Sequence, residues 1–180
     1  MVGEIGRNDY SFAFQQGKTF EEAKTLVPEV IDIIKNAVKL KSFYMFRRVV
    51  NLGATQVIVP GVFPLGCFPS YLKDFKSNDE SAYDEHYCLK EFNDFIAFHN
   101  KYLQQTIITL QEEYPRTTIV YADYYDAFKW LLYNAWQLGF DATSTLEGCC
   151  GNSGPSRTSA SSVDGCGCSN IPQQGFAEQI

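Results

Sequence analysis

Gly6-Arg7-Asn8-Asp9 places a carboxamide and a carboxylate directly after the short apolar run Val2 to Ile5. A carboxamide held beyond the end of a buried strand can donate to the oxyanion that forms when an ester carbonyl is attacked, and one such donor is worth about 3 kcal/mol in the transition state. The same residues could instead close an Asx-turn, with the side chain of Asn8 or Asp9 bonded to nearby backbone. Acyl transfer also needs a nucleophile and a base. Gly151-Asn152-Ser153-Gly154 sets a serine in a tight loop, but it lacks G-x-S-x-G spacing and follows no strand. His86 lies in a polar loop and reads as a surface histidine, while His99 falls on the apolar face of a long helix and reads as a hydrogen-bonded core residue. Neither is assigned as a base. Cys149, Cys150, Cys166 and Cys168 crowd a short segment that could hold zinc or form disulfides; the adjacent Cys149-Cys150 and the tight Cys166-x-Cys168 are not the usual C-x-x-C knuckle. No resident metal or cofactor is expected.

The elements that must position these groups are legible from periodicity. Val2 to Ile5 reads as a strand running into a turn. Thr19 and Glu22 form a capping box, and Phe20, Ala23, Val27, Val30, Ile31, Ile34 and Val38 recur at helical spacing, which predicts a helix over about 20–39 with Pro28 kinking or restarting it. Ala54 to Pro60 and Thr117 to Ala122 are short apolar runs, the pattern of strands buried on both faces of a parallel sheet. Leu89, Phe92, Phe95, Ile96, His99, Tyr102, Leu103, Ile107 and Leu110 predict a long amphipathic helix ending before Pro115. Asp123 to Gln137 predicts another, with Gly139 ending it in a left-handed conformation. Alternating strands and helices imply right-handed crossovers and helices on both faces of the sheet. Ligands of such sheets bind beyond the carboxyl ends of the strands, which singles out the loops Gly6 to Tyr10, Gly61 to Pro69 and Asp123 to Asp126.

Composition narrows the function classes. Fifteen Lys and Arg against twenty-one Asp and Glu give a net charge of −6, so no global field gathers phosphate backbones, and nucleic acid is not an expected partner. The one basic clump, Lys35, Lys39, Lys41, Arg47 and Arg48, reads as a solvated helix end and loop. A hydrophobic fraction of 45%, with 15% aromatic residues, supports a core. No stretch approaches the ~20 apolar residues of a membrane span, and the N-terminus shows no signal-peptide pattern. The even count of six cysteines nevertheless points to an oxidising compartment, which would require a signal upstream of Met1.

Five segments, VGEIGRNDY from 2 to 10, VPGVFPLGCFPSYL from 59 to 72, YDEHYCLKEFNDFIAFHNKYL from 83 to 103, YPRTTIVYADYYDAF from 114 to 128 and CCGNSGP from 149 to 155, together resemble the plant GDSL esterase/lipase family of the SGNH hydrolases. That family is named for a Ser in a GDSL motif, a Gly, an Asn in GxND and a His in DxxH. Gly6, Asn8 and Asp9 match the GxND block, with Arg7 where a second Gly is common. The resemblance implies a three-layer α/β/α fold with a flavodoxin-like parallel sheet, and it gives Asn8 the role of oxyanion-hole donor, supported by Gly6 and Asp9. The Ser and Gly blocks would precede Met1 and the DxxH block would follow Ile180; neither Asp84-Glu85-His86 nor Asp94 with His99 has DxxH spacing. Residues 1–180 are therefore expected to form a partial domain, incomplete at both ends and inactive alone.

The function implied is carboxylic ester hydrolysis of a small-molecule or lipid acyl ester, acetylated alkaloids among them, in a secreted full-length protein. A non-catalytic secreted binding domain on the same fold is the alternative. In an exported family, disulfides are the better reading of the cysteines; a Cys67–Cys88 bond would tie the loop after one strand to the start of the long helix, although spacing does not fix the connectivity. Residues 40–46, Leu-Lys-Ser-Phe-Tyr-Met-Phe, read as an insertion relative to the family, and 141–180 as a loop region rich in Cys, Gly and Ser. An uncovered sheet edge and uncovered apolar surface would make the isolated chain poorly soluble.

Overall fold

The computed structural model describes residues 2–39, 55–140 and 145–146. Residues 40–46, Lys41, Arg47, Arg48, Cys149, Cys150, Ser153, Cys166 and Cys168, and with them nearly all of the 141–180 region, lie outside the described residues. In chain order the elements are α1 (Arg7–Gln15), α2 (Phe20–Lys39), β1 (Gln56–Pro60), α3 (Pro69–Asp74), α4 (Lys90–Glu113), β2 (Thr118–Ala122) and α5 (Tyr124–Tyr133). They group into two compact units, Met1–Phe63 with Phe95–Tyr125, and Pro64–Asp94 with Asp126–Ile180.

In the first unit β1 and β2 pair in parallel, from Gln56 opposite Thr118 to Pro60 opposite Ala122. Parallel strands need a long crossover, and α4 lies within the one that joins them. The capping box forms as expected: the Glu22 carboxylate accepts from the Thr19 N–H at 2.8 Å, and the Glu22 N–H donates to Thr19 Oγ1 at 3.3 Å. From this start α2 runs without interruption past Pro28, burying Ala23, Val27, Val30, Ile31, Ile34 and Val38. Tyr10 and Phe14 of α1 meet Phe95 of α4 edge to face, with ring centroids 4.8 and 5.3 Å apart. The buried stripe of α4 matches expectation except at Tyr102, which is exposed.

Two strand predictions need correction. Among the described residues Val2 to Ile5 forms no regular strand; a bond from the Val2 N–H to the Ile58 carbonyl, 2.9 Å, lays it beside β1. Among the described residues β1 and β2 are covered on one face only: Val57, Val59 and Ile119 are buried, while the register partners Ile58 and Val120 are 43% and 46% exposed. Consecutive apolar residues read alike whether one face or both are covered, because the run itself carries no periodicity.

Edge protection in this unit comes from a side chain. Gln111 of α4 donates from Nε2 to the Thr117 carbonyl at 2.8 Å and accepts from the Ile119 N–H at 2.7 Å. The Thr118 N–H between them points the other way, to the Thr55 carbonyl. One amide thus replaces a neighbouring strand at the outer edge of β2.

The second unit is built around the disulfide Cys67–Cys88, whose two cysteines are buried. The resemblance suggested this pairing. Residues 61–69, expected as a plain loop, contain a 3₁₀ turn at Leu65–Cys67 and lead into α3, with Pro69 in its first turn, where a missing N–H costs nothing. Tyr71, Phe75 and Phe92 cluster, with Phe75 and Phe92 4.7 Å apart, and Phe68 stacks on Phe128 at 5.3 Å. The 84–88 turn closes on one carboxylate: Asp84 Oδ1 accepts from the N–H groups of both His86 and Cys88 at 2.9 Å. After α5 a 3₁₀ turn ends at Gly139 with φ +86, the left-handed stop the sequence predicts.

Replacing Gln111 by Ala leaves the Thr117 carbonyl and the Ile119 N–H unpartnered at a half-buried edge. The expected loss is about 1–3 kcal/mol in urea unfolding; an unchanged midpoint would show that solvent serves that edge equally well.

Candidate active site

The Gly6 to Asp9 segment is a helix start rather than a loop. Gly6 stands immediately before α1 at φ +107, and a Cβ there would lie 2.8 Å from Val30 Cγ1 of α2 and 3.1 Å from the Tyr10 ring. Backbone conformation and close packing both require glycine at this position. Arg7, Asn8 and Asp9 then form the first helical turn, whose N–H groups carry the positive end of the helix dipole. Asn8 and Asp9 are exposed, and the Asn8 carboxamide makes no side-chain hydrogen bond to any described residue. The Asn8 form of the Asx-turn is therefore absent among the described residues.

Glu4 anchors this segment to the carboxyl end of β1. Its Oε1 accepts from the Phe63 N–H at 3.3 Å. Burial raises the Glu4 pKa, an effect opposed by that hydrogen bond and by the Arg7 charge. At the same end, the Gly61 N–H donates to the Ala122 carbonyl at 2.9 Å, and the Phe63 and Tyr124 rings lie 5.1 Å apart. The helix predicted over Asp123 to Gln137 forms as α5, starting at Tyr124, so the Asp123 to Asp126 segment is mostly its first turn.

Two buried amides of α4 escape a reading based on apolar periodicity. Asn100 accepts from the Val62 N–H at 2.8 Å and donates to the Val62 carbonyl at 2.9 Å, so the backbone leaving β1 keeps its partners inside the protein. Asn93 accepts from the Gly66 N–H at 2.9 Å. A Cβ on Gly66 would collide with the Leu89 carbonyl, which fixes glycine there too. The sequence signal was present in retrospect: Asn93 and Asn100 are two turns apart on one helix, among residues that otherwise pack as core.

Neither histidine is placed as a base. His99 is fully buried, with its Nδ1 sharing a 2.6 Å hydrogen bond with the Tyr10 hydroxyl, and its Nε2 has no partner among the described residues. Burial lowers its pKa from 6.5 to about 4. His86 stacks on Tyr133 at 3.5 Å and lies 3.6 Å from Glu85. The described residues contain no group of three or more metal-ligating side chains, and none of their helices is long and apolar enough to cross a membrane.

Comparison with known proteins decides the family. Residues 1–166 match the family GDSL-like Lipase/Acylhydrolase. The chain belongs to that family. It is 44% identical over 154 residues to a GDSL esterase/lipase of Arabidopsis thaliana, an alignment covering 86% of this chain and 44% of the relative. It is also 40% identical over 155 residues to acetylajmalan esterase 2 of Rauvolfia serpentina, covering 86% of this chain and 39% of that protein. The GDSL chain thus spans about two fifths of the length of these relatives. GDSL relatives carry the names of ester-hydrolysing enzymes, and the parallel pair with its helices is compatible with the α/β fold of that family.

The buried histidine makes stability depend on pH. Its pKa is lowered on folding, so its contribution is intact above the unfolded value near 6.5 and is lost as pH falls toward 4, where the unfolded chain takes up a proton that the folded chain resists. The expected loss between pH 7 and pH 4 is about 3 kcal/mol. Denaturant midpoints measured at both pH values should show it, and His99→Asn should flatten that part of the curve; an equal slope in the variant would assign the acid sensitivity elsewhere.

Proposed function

We propose that this chain is the oxyanion-binding part of a secreted carboxylic ester hydrolase, and that the enzyme's nucleophile and base are supplied by GDSL and DxxH blocks that these 180 residues do not contain. One observation carries the reading: within family-matched sequence, Asn8 presents a free carboxamide on the first turn of a helix whose start is fixed by a left-handed glycine. In the reaction a serine Oγ attacks the acyl carbonyl carbon while a histidine, oriented by an aspartate, takes the hydroxyl proton. The carbonyl oxygen becomes an oxyanion. Asn8 Nδ2–H donates to it together with the serine N–H and a glycine N–H, and Gly6 and Asp9 hold the turn. Collapse expels the alcohol, which receives the proton from histidine, and water then releases the acid.

The substrate is a small-molecule or lipid acyl ester. The acetylajmalan esterases among the relatives favour an acetyl ester of a plant alkaloid. The domain is a partial three-layer α/β/α hydrolase, and the exposed in-register pair Ile58 and Val120 supports this, because an apolar sheet face of that kind is the surface on which a second helical layer packs.

Two measurements test the proposal. The purified 180-residue chain should take no label from a fluorophosphonate probe and should leave a short-chain nitrophenyl ester intact. Labelling that vanishes on denaturation would reveal an activated serine inside the chain and overturn the division of labour. In a full-length enzyme carrying both missing blocks, Asn8→Ala should lower kcat by about 10²–10³ with little change in KM, equivalent to roughly 3–4 kcal/mol of transition-state stabilisation. An unchanged kcat would remove Asn8 from the oxyanion hole.

A further inference from the structure

Tyr10 follows Asn8 by two residues on α1 and points the opposite way: Asn8 is exposed and Tyr10 is fully buried. Its ring lies against Gly6, the residue that starts the helix, within about the closest approach a Cβ there would allow. Its hydroxyl reaches across to α4 and shares the 2.6 Å hydrogen bond with His99 Nδ1, while the Tyr10 and His99 rings meet edge to face at 5.4 Å. The next residue of α4, Asn100, holds Val62 through both backbone groups, and Glu4 holds Phe63. Adjacent side chains of one helix thus hold the turn that carries Asn8 and the backbone leaving β1, all within one compact unit.

We propose that Tyr10 and His99 are positioning residues for the ester hydrolysis described above: their buried hydrogen bond fixes the rotation of the first turn of α1 and thereby the direction of the Asn8 carboxamide. This rests on the oxyanion-hole reading of Asn8. α1 has nine residues and no side-chain N-cap, so little within the helix itself resists a small rotation or slide. Apolar packing of Tyr10, Ala13 and Phe14 holds the helix against its neighbours but is non-directional, whereas a 2.6 Å bond between two buried polar atoms tolerates little displacement. A donor aimed at a developing oxyanion acts only within a few tenths of an ångström of its place, and a misplacement near 1 Å can cost about a hundredfold in rate.

The test is a double-variant cycle in the full-length enzyme, following kcat and KM separately. Tyr10→Phe keeps the ring against Gly6 and removes only the hydroxyl; it should lower kcat about tenfold or more with KM nearly unchanged. In the Asn8→Ala background the same substitution should have no further effect on kcat, because the group it aims is gone. His99→Leu should reproduce Tyr10→Phe, and His99→Asn, which keeps a hydrogen-bonding atom near the place of Nδ1, should restore most of the lost kcat. Circular dichroism and thermal melting confirm that each variant is folded at the assay temperature. Equal fractional losses from Tyr10→Phe with and without Asn8 would overturn the positioning role while leaving the oxyanion-hole reading intact. An Asn8→Ala variant with full kcat would remove that reading and the positioning role with it. Loss of kcat in His99→Asn as great as in His99→Leu, with both variants folded, would also sink the proposal.

Discussion

Backbone that leaves a buried strand end must find hydrogen-bond partners away from water, and much of this structure depends on how that requirement is met. Side-chain amides of α4 meet it. Asn100 takes both groups of Val62, Asn93 takes the Gly66 N–H, and Gln111 takes a carbonyl and an N–H at the start of β2. Each does for the main chain what a neighbouring strand would do. Without them the turn after β1 would carry unpartnered polar groups, at about 1–3 kcal/mol each. The helix is therefore a structural template for the loops as well as a packing element.

That template explains the glycines. Gly66 admits no side chain because the Leu89 carbonyl occupies the space, and Gly61 is pressed by the Tyr121 hydroxyl and the Asn100 carboxamide. Close approach is what allows a side-chain amide to reach the main chain. Gly6 belongs to the same pattern, with Val30 and Tyr10 in place of an amide, and there the geometry starts a helix. The segment that carries Asn8 is thus determined by neighbours distant in sequence.

The periodic elements were readable in advance because period is a local property. The stripe from Ala23 to Val38 and the stripe from Leu89 to Leu110 each announce a helix, and the Thr19–Glu22 box announces where one starts. The family resemblance was readable from ordered segments, and it pointed to Asn8. What was not legible required three-dimensional context. The helix beginning at Arg7 has a weak apolar pattern and is held by Tyr10 and Phe14 against α4. The buried amides look polar in sequence, and the backbone groups they bond lie tens of residues away. Whether one face or both of β1 are covered cannot be read from Val57-Ile58-Val59, since the run is apolar on both.

The Cys67–Cys88 bond has a further consequence for the integrity of the chain. It closes over a sequence separation of 21 residues, and much of the stretch inside, including Lys73, Lys76, Ser81 and Tyr87, is exposed. Such a stretch is where a protease would cut first. A cut there would open a loop without dividing the molecule, because the two polypeptides would remain joined through sulfur for as long as the Cys67–Cys88 bond stayed intact. Cleavage and separation are therefore independent events for this protein, and reduction, rather than proteolysis, would release the fragments.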